Sequence, residues 1–302
     1  METLVAENVR KNYGRHTALD GVSFNMSRGM ILGVLGPNGA GKTTLIKCCL
    51  GLLDFDGQIT IEGIDVKTAG AMARARIGYV PQRTALHDKL SIIDEVKLIA
   101  RLKGVNDGQR FREVLERLGF WERRKSLVGS LSQGMKQKLM LGLTLLTEPD
   151  VLLLDEPLSS IDIEGQISLL RQLEEIRKEG KSILISSHIV GMGSVMDKVL
   201  VLNKGEVVAF GDVGEVLGKL RIRDKLYVKL HQSDVLDSGL ENILRENNVY
   251  SVQSLEGWIV IECDSKDKAG LIASMYGHGI RPEDIVSESL SLEKHYHELI
   301  KG

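Results

Sequence analysis

Gly36-Pro37-Asn38-Gly39-Ala40-Gly41-Lys42-Thr43-Thr44 is the stretch whose reading decides the fold. It fits G-x-x-x-x-G-K-[ST], a loop that cradles phosphates between a strand and a helix. The apolar run Ile31–Leu35 leads into it as a buried parallel strand would, and Leu45-Ile46-Lys47-Cys48-Cys49-Leu50 leaves it in a helical pattern. The glycines let the backbone bend until several N–H groups face one anion. The helix that begins near Gly41 turns the positive end of its dipole to the same point. Lys42 then reaches the β- and γ-phosphates of a nucleotide, and the Thr43 hydroxyl is placed to ligate Mg²⁺. A glycine-rich turn without a ligand would also join a strand to a helix, but it would not need every fixed position filled. Many unrelated nucleotide enzymes carry this loop, so the other motifs have to name the chemistry.

The wider composition is that of a globular chain, with 302 residues, 43% hydrophobic and 26% charged. Length suggests about two domains. Lys plus Arg number 39 and Asp plus Glu 41, a formal net charge of −2, so no basic surplus marks a nucleic-acid partner. The start, Met1-Glu2-Thr3-Leu4, lacks the basic, apolar opening of a secretory signal. No apolar stretch approaches the roughly 20 residues that cross a bilayer. Cys48 and Cys49 sit in an apolar helical pattern and read as small core residues; with Cys263 as the third cysteine, a reducing, intracellular compartment is expected.

Short apolar strands alternate with helical patterns through roughly residue 215, the signature of a largely parallel sheet. Strands are expected at Ile31–Leu35, Ile77–Val80, Val151–Leu154, 182–185 and 199–202. Residues 4–9, 22–26 and 58–61 are short and turn-bounded, and suggest an antiparallel β layer beside that core. Residues 92–101, 109–118 and 132–146 carry apolar side chains at three- and four-residue steps, as a helical subdomain at about 83–149 would.

Val151–Leu154 runs into Asp155-Glu156-Pro157. A buried strand that ends in two acids puts them where ligands sit in open α/β sheets. Asp155 would hold Mg²⁺ through water beside Thr43. Glu156 would lie by the γ-phosphate and polarise the attacking water. Taken alone, the same pair is an ordinary acidic turn; the phosphate loop upstream gives it meaning. Leu131-Ser132-Gln133-Gly134-Met135 opens an apolar helix, with Ser132 as N-cap and free N–H groups forming an anion site. Taken alone, it is a capped core helix.

Here the chain resembles the ATP-binding cassette (ABC) family, whose signature L-S-G-G-Q stands in the same place before the Asp-Glu strand. Leu131, Ser132 and Gly134 match it; Gln133 and Met135 depart from it. Signatures of the L-S-[KQ]-G-M kind look like those of drug, antibiotic and lipid exporters whose membrane subunit is a separate polypeptide. Further motifs follow in order over about 1–215. Tyr79-Val80-Pro81-Gln82 looks like the family's glutamine loop, where Gln82 would touch Mg²⁺ and sense the membrane partner near residues 83–98. Ser159-Ser160-Ile161-Asp162 stands at the post-acid loop, usually S-G-L-D; the glycine is replaced and Asp162 is kept. Ser186-Ser187-His188 matches the switch histidine, which would contact the γ-phosphate. Tyr13, in Lys11-Asn12-Tyr13-Gly14, occupies the place of the aromatic that stacks on adenine. Such stacking is worth about 1–3 kcal/mol and tolerates any base, so adenine follows from the resemblance and not from the tyrosine.

The resemblance implies ATP and Mg²⁺ as ligands, and residues 36–44, Tyr13, Gln82, Ser132, Gly134 and Asp162 as their cradle. Thr43, Gln82 and Asp155 would serve the metal, and Glu156, His188 and Lys42 the chemistry. It implies a homodimer, or a pair with a related cassette, because the phosphate loop of one subunit faces the signature of another. It also implies an integral membrane permease on a separate chain, with this chain peripheral at the cytoplasmic face of the cell membrane. An importer ATPase would more commonly end its signature in Gly-Gly-Gln. A soluble ABC protein of ribosomes or DNA usually carries two cassettes or long coiled-coil arms. A small-molecule kinase would leave Ser132–Gly134 and His188 without a role.

The expected architecture is therefore α/β: a phosphate-loop NTPase core at 1–220 with an antiparallel β layer and an inserted helical subdomain, then a small α+β domain at 221–302. In the latter, strands are expected at 225–230, 250–254, 258–263 and 284–288, and helices at 235–246, 266–276 and 292–300. That order is ferredoxin-like. The unit carries no catalytic motif, and a regulatory or dimer-stabilising role is expected. His295 and His297 read as solvated side chains of the last helix.

Overall fold

Two long strands open the chain, β1 (Glu2–Tyr13) and β2 (His16–Ser27), paired antiparallel about the turn at Gly14-Arg15. The structure is a computed structural model and describes residues 1–159, 161–187, 195–219, 224–230, 249–255, 257–264 and 267–288. β4 (Asp56–Ile61) and β5 (Ile64–Asp65) complete a four-stranded sheet in the order β2-β1-β4-β5. Its inner face buries Leu4, Ala6, Val22, Phe24, Ile59 and Ile61. Both long strands outrun the apolar stretches at 4–9 and 22–26. Their outer halves pair polar residues, such as Asn12 with Thr17 and Tyr13 with His16, so the ladder continues where no apolar pattern marks it.

The central sheet contains β3 (Ile31–Leu35), β6 (Ile77–Val80), β7 (Val151–Leu154), β8 (Ser182–Ser187), β9 (Lys198–Asn203) and β10 (Glu206–Asp212), in the order β10-β9-β3-β8-β7-β6. All its pairings are parallel except β10 with β9. β3, β7 and β8 are buried throughout, which is why two of them read as unbroken apolar runs. Register aligns their carboxyl ends: Leu35 pairs with Ser187, and Leu154 with both Val80 and Ile185. The loops that leave β3, β6 and β7 therefore emerge along one edge, the one at which β8 ends in Ser187. α1 (Lys42–Cys49) starts there. Cys48 and Cys49 are fully buried, and burial pushes the Cys48 thiol up to about 11, so both act as small core residues.

α2 (Gly70–Ala75) precedes β6, and the helical insertion follows it: α3 (Ile92–Leu102), α4 (Gly108–Arg117), a 3₁₀ turn at Val128–Ser130, and α5 (Gln133–Leu145). Each helix starts on a side-chain cap. Ser91 accepts from the Asp94 N–H, Asp107 from those of Gln109 and Arg110, and Ser132 from that of Met135. The insertion has its own core of Ile92, Val96, Leu115, Phe120, Leu139 and Leu143. Each such side chain contributes about 1.5–3 kcal/mol on burial. α6 (Ile163–Lys178) lies between β7 and β8 and is capped by Asp162. Gly134 of α5 packs on Ile161, whose Cγ2 would stand 2.7 Å from an added Cβ.

Among the described residues, those up to Val213 form one compact unit and those from Gly214 a second. α7 (Val213–Lys219) begins at that divide. The second unit holds β11 (Asp224–Lys229), β12 (Val249–Leu255), β13 (Trp258–Cys263), α8 (Lys268–Gly277) and β14 (Asp284–Glu288). Its sheet is antiparallel in the order β12-β13-β11-β14, the strand order of a ferredoxin-like sandwich. Leu226, Val228 and Ile261 pack against Leu271 and Met275 of α8. The helices expected at 235–246 and 292–300, with His295 and His297, lie outside the described residues.

Candidate functional site

The loop after β3 adopts a shape that ordinary side chains cannot follow. Gly41 has a φ of 105°, and a Cβ there would stand 2.6 Å from the Ala18 carbonyl oxygen. A Cβ on Gly36 would stand 2.3 Å from the Leu202 carbonyl oxygen. The loop is thus pressed against the strand layer, and α1 starts beneath it with its N–H groups unspent.

Lys42 is folded back into this loop. Its Nζ donates to the carbonyl oxygens of Gly36 at 2.7 Å and Pro37 at 3.1 Å, and pairs with Glu156 Oε1 at 3.0 Å. Lys42 and Glu156 are 5% and 9% exposed, so the two charges meet in a largely dry place where either one left unpaired would be costly. Thr43 Oγ1 donates to Asp155 Oδ1 at 3.0 Å. Asp155, 2% exposed, accepts a second bond on the same oxygen from Ser186 Oγ at 2.8 Å. Burial, and secondarily the charge of Asp155, push the neighbouring Tyr79 phenol up from its ordinary value.

Glu156 sits at φ 45°, in the left-handed region, directly before Pro157. Such a residue costs of order 1–3 kcal/mol and persists when its surroundings fix it. Here they do: the Glu156 N–H donates to Ser186 Oγ at 2.9 Å, and the Glu156 carbonyl accepts from Ser159 N and Oγ. Ser186 therefore positions both acids. Motif reading did not single it out. Its signal is modest: a buried apolar strand that ends in two serines.

A cavity of 280 Å³ opens over these groups, lined by Tyr13, His16, Ala18, residues 38–44, Gln82 and Glu156. Tyr13 is half-exposed at its rim, with Lys11 Nζ 5.2 Å from the ring centroid. A cavity of 690 Å³ between α2, the α3–α4 loop and the end of α5 is larger, but it holds neither the phosphate loop nor the acids that end β7, so size does not choose the site. Thr43, Asp155 and Gln82 offer hard oxygen donors at one place, which fits Mg²⁺ that keeps water and phosphate oxygens in its shell. Among the described residues no three His, Cys, Asp or Glu side chains form a cage on their own.

Ser132, Gly134 and Asp162 do not line this cavity. Ser132 and Asp162 are exposed and cap their own helices. His188 lies outside the described residues.

The family model described as ABC transporter matches residues 19–159. The linearmycin resistance ATP-binding protein LnrL of Bacillus subtilis is 31% identical over 300 residues, 96% of this chain and 96% of the relative. The manganese transport system ATP-binding protein MntB of Halalkalibacterium halodurans is 34% identical over 220 residues, 70% of this chain and 86% of the relative. Among solved structures, cbiO1 from Clostridium perfringens, part of the ABC transporter complex cbiONQ, matches with a TM-score of 0.66 and 29% identity, over 73% of this chain and 93% of that one.

Proposed function

The chain belongs to the ABC transporter family of ATP-binding subunits, and on that premise we propose that two copies close on Mg-ATP, hydrolyse it, and so drive a separate membrane permease in export. The observation that carries the chemistry is the contact between Lys42 and Glu156, with Thr43 and Asp155 joined beside it. Entering triphosphate competes for Lys42, and the carboxylate of Glu156 is then released to the attacking water.

Tyr13 stacks on the base, and residues 36–44 wrap the phosphates. Thr43, Asp155 and Gln82 would hold the cation, which would supply positive charge against the phosphates. Glu156 orients a water and takes its proton as the water oxygen bonds to the γ-phosphorus. The bond from that phosphorus to the β–γ bridging oxygen breaks, and ADP and phosphate leave. His188 is assigned to the γ-phosphate. Ser132 and Gly134 are assigned to the phosphate held by the opposite subunit, which accounts for their place outside this chain's own cavity, and Asp162 of the post-acid loop is assigned to nucleotide binding. ATP thus bridges the subunits, and its hydrolysis removes the bridge.

No helix among the described residues is long and apolar enough to cross a membrane, and a peripheral place at the cytoplasmic face fits a subunit whose permease is a separate chain. Residues 83–98 are proposed as the permease contact. Export is favoured because the resistance relative aligns over 96% of this chain, including its second unit, to which we assign a regulatory or dimer-stabilising role. Glu156→Gln tests the mechanism. ATP binding should persist, turnover should fall at least about 100-fold, and an ATP-bound dimer should accumulate in light scattering. Wild-type turnover in that variant would remove Glu156 from the role of base.

A further inference from the structure

The segment that follows Gln82 is anchored in two directions by consecutive residues. His87 turns to α3, where its Nδ1 lies 3.0 and 3.2 Å from the two carboxylate oxygens of Glu95, a residue with no exposed surface. Asp88 turns to α5, where its Oδ1 lies 2.7 Å from Lys136 Nζ. The backbone is stitched as well. The N–H of Gly129 donates to the Asp88 carbonyl at 3.0 Å and that of Val128 to the Leu90 carbonyl at 2.9 Å. Ile92 and Ile93 donate in return to Ser126 and Arg124. A Cβ on Gly129 would stand 3.0 Å from the Asp88 carbonyl oxygen and 3.2 Å from its Cβ, closer than ordinary contact, so glycine sets the spacing.

These bonds have a common destination. The stitched segment runs through the turn Val128–Ser130 straight into Ser132, the cap of α5. Lys136 lies one helical turn beyond Ser132 on the same side, and its N–H donates to the Ser132 carbonyl at 2.9 Å. An exposed ion pair alone contributes little. Here the pair lands on the first turn of α5, and the backbone ladder on residues 124–129, which lead into that helix.

We propose that Asp88, with Lys136 and Gly129, is a positioning device for Ser132: it fixes the serine relative to the segment that begins at Gln82, so that a displacement of that segment is carried to the signature. The inference rests on the reading of Ser132 as a group that closes over the opposite subunit's phosphate. Loss of the strut should therefore slow turnover through poor closure and leave each chain's own grip on ATP intact. A residue that merely stabilised the fold would lower both together.

The test uses the full chain with Asp88→Lys, Lys136→Asp, the two combined, and Gly129→Ala. Each is measured for ATPase rate against ATP concentration and for binding of a fluorescent ATP analogue by the dilute chain. Each single variant should lose about fivefold in kcat with nucleotide affinity unchanged, and the charge-swapped pair should recover most of the loss. Single variants with wild-type kcat, or a swapped pair no better than either single, would overturn the strut. Ser132→Arg is measured alongside. If it keeps full activity, the failure belongs to the reading of the signature; if it is inactive while the strut variants are normal, the failure belongs to the strut alone.

Discussion

Ser186 holds the geometry of two acids to which the proposed reaction gives different tasks. It donates to Asp155 and accepts from the Glu156 N–H, and both bonds are buried. Ser186→Ala keeps the volume nearly constant but leaves a buried N–H without its acceptor, which costs about 1–3 kcal/mol. It also removes one of the bonds that hold the strained Glu156 backbone, while those from Ser159 remain. The variant should lose roughly that much stability in urea unfolding, and its kcat should fall more than its affinity for ATP. An unchanged kcat would show that Glu156 keeps its place without this bond. The asymmetry between Ser186 and its neighbours also shows what sequence conveys at this scale. Lys42, Thr43, Asp155 and Glu156 are legible because their spacing along the chain is fixed by one loop or one strand end. Ser186 acts on Asp155 across separate strands, and His16 reaches the cavity by pairing with Tyr13 across a turn. Neither relation leaves a local pattern.

At the scale of elements, burial decides what can be read. β3 and β7 are covered on both faces, so each is an apolar run with a sharp end. α3, α4 and α5 are marked by caps at Ser91, Asp107 and Ser132, and their expected bounds differ from the observed ones by a residue or so. α6 is harder, because Ile163 and Ile167 are exposed apolar residues that blur its polar face. β10 is an edge strand of mixed burial and carries no clean alternation. The helix start that matters most is that of α5. Ser132→Arg removes the cap, worth about 1 kcal/mol, and places a long cation at an exposed helix mouth. Because Ser132 lies outside its own chain's cavity, ATP binding by the dilute chain should be unchanged while turnover is lost. ATP titration of the variant beside its steady-state ATPase rate checks this. A Ser132→Arg protein with normal turnover would contradict a site completed by two chains.

For the whole molecule, the proposed half-site on each chain would make activity a property of association. Closure has to be stable enough to form on ATP and weak enough to open after hydrolysis, so any added contact between copies shifts that balance. The second unit is proposed to supply such a contact. Its edge strand β12 presents exposed Tyr250, Val252 and Leu255, and an edge strand with open apolar side chains is a template for pairing with another chain. A chain ending at Leu220 retains every residue assigned to ATP and should bind it normally. In the Glu156→Gln background, where hydrolysis no longer dissolves the dimer, the shortened chain should associate about tenfold more weakly than the full one, the effect of roughly 1.4 kcal/mol. Analytical ultracentrifugation with Mg-ATP compares the two directly. Equal dimer affinities would deprive the second unit of a part in association, whereas loss of ATP binding in the shortened chain would mean that the first unit does not stand without it.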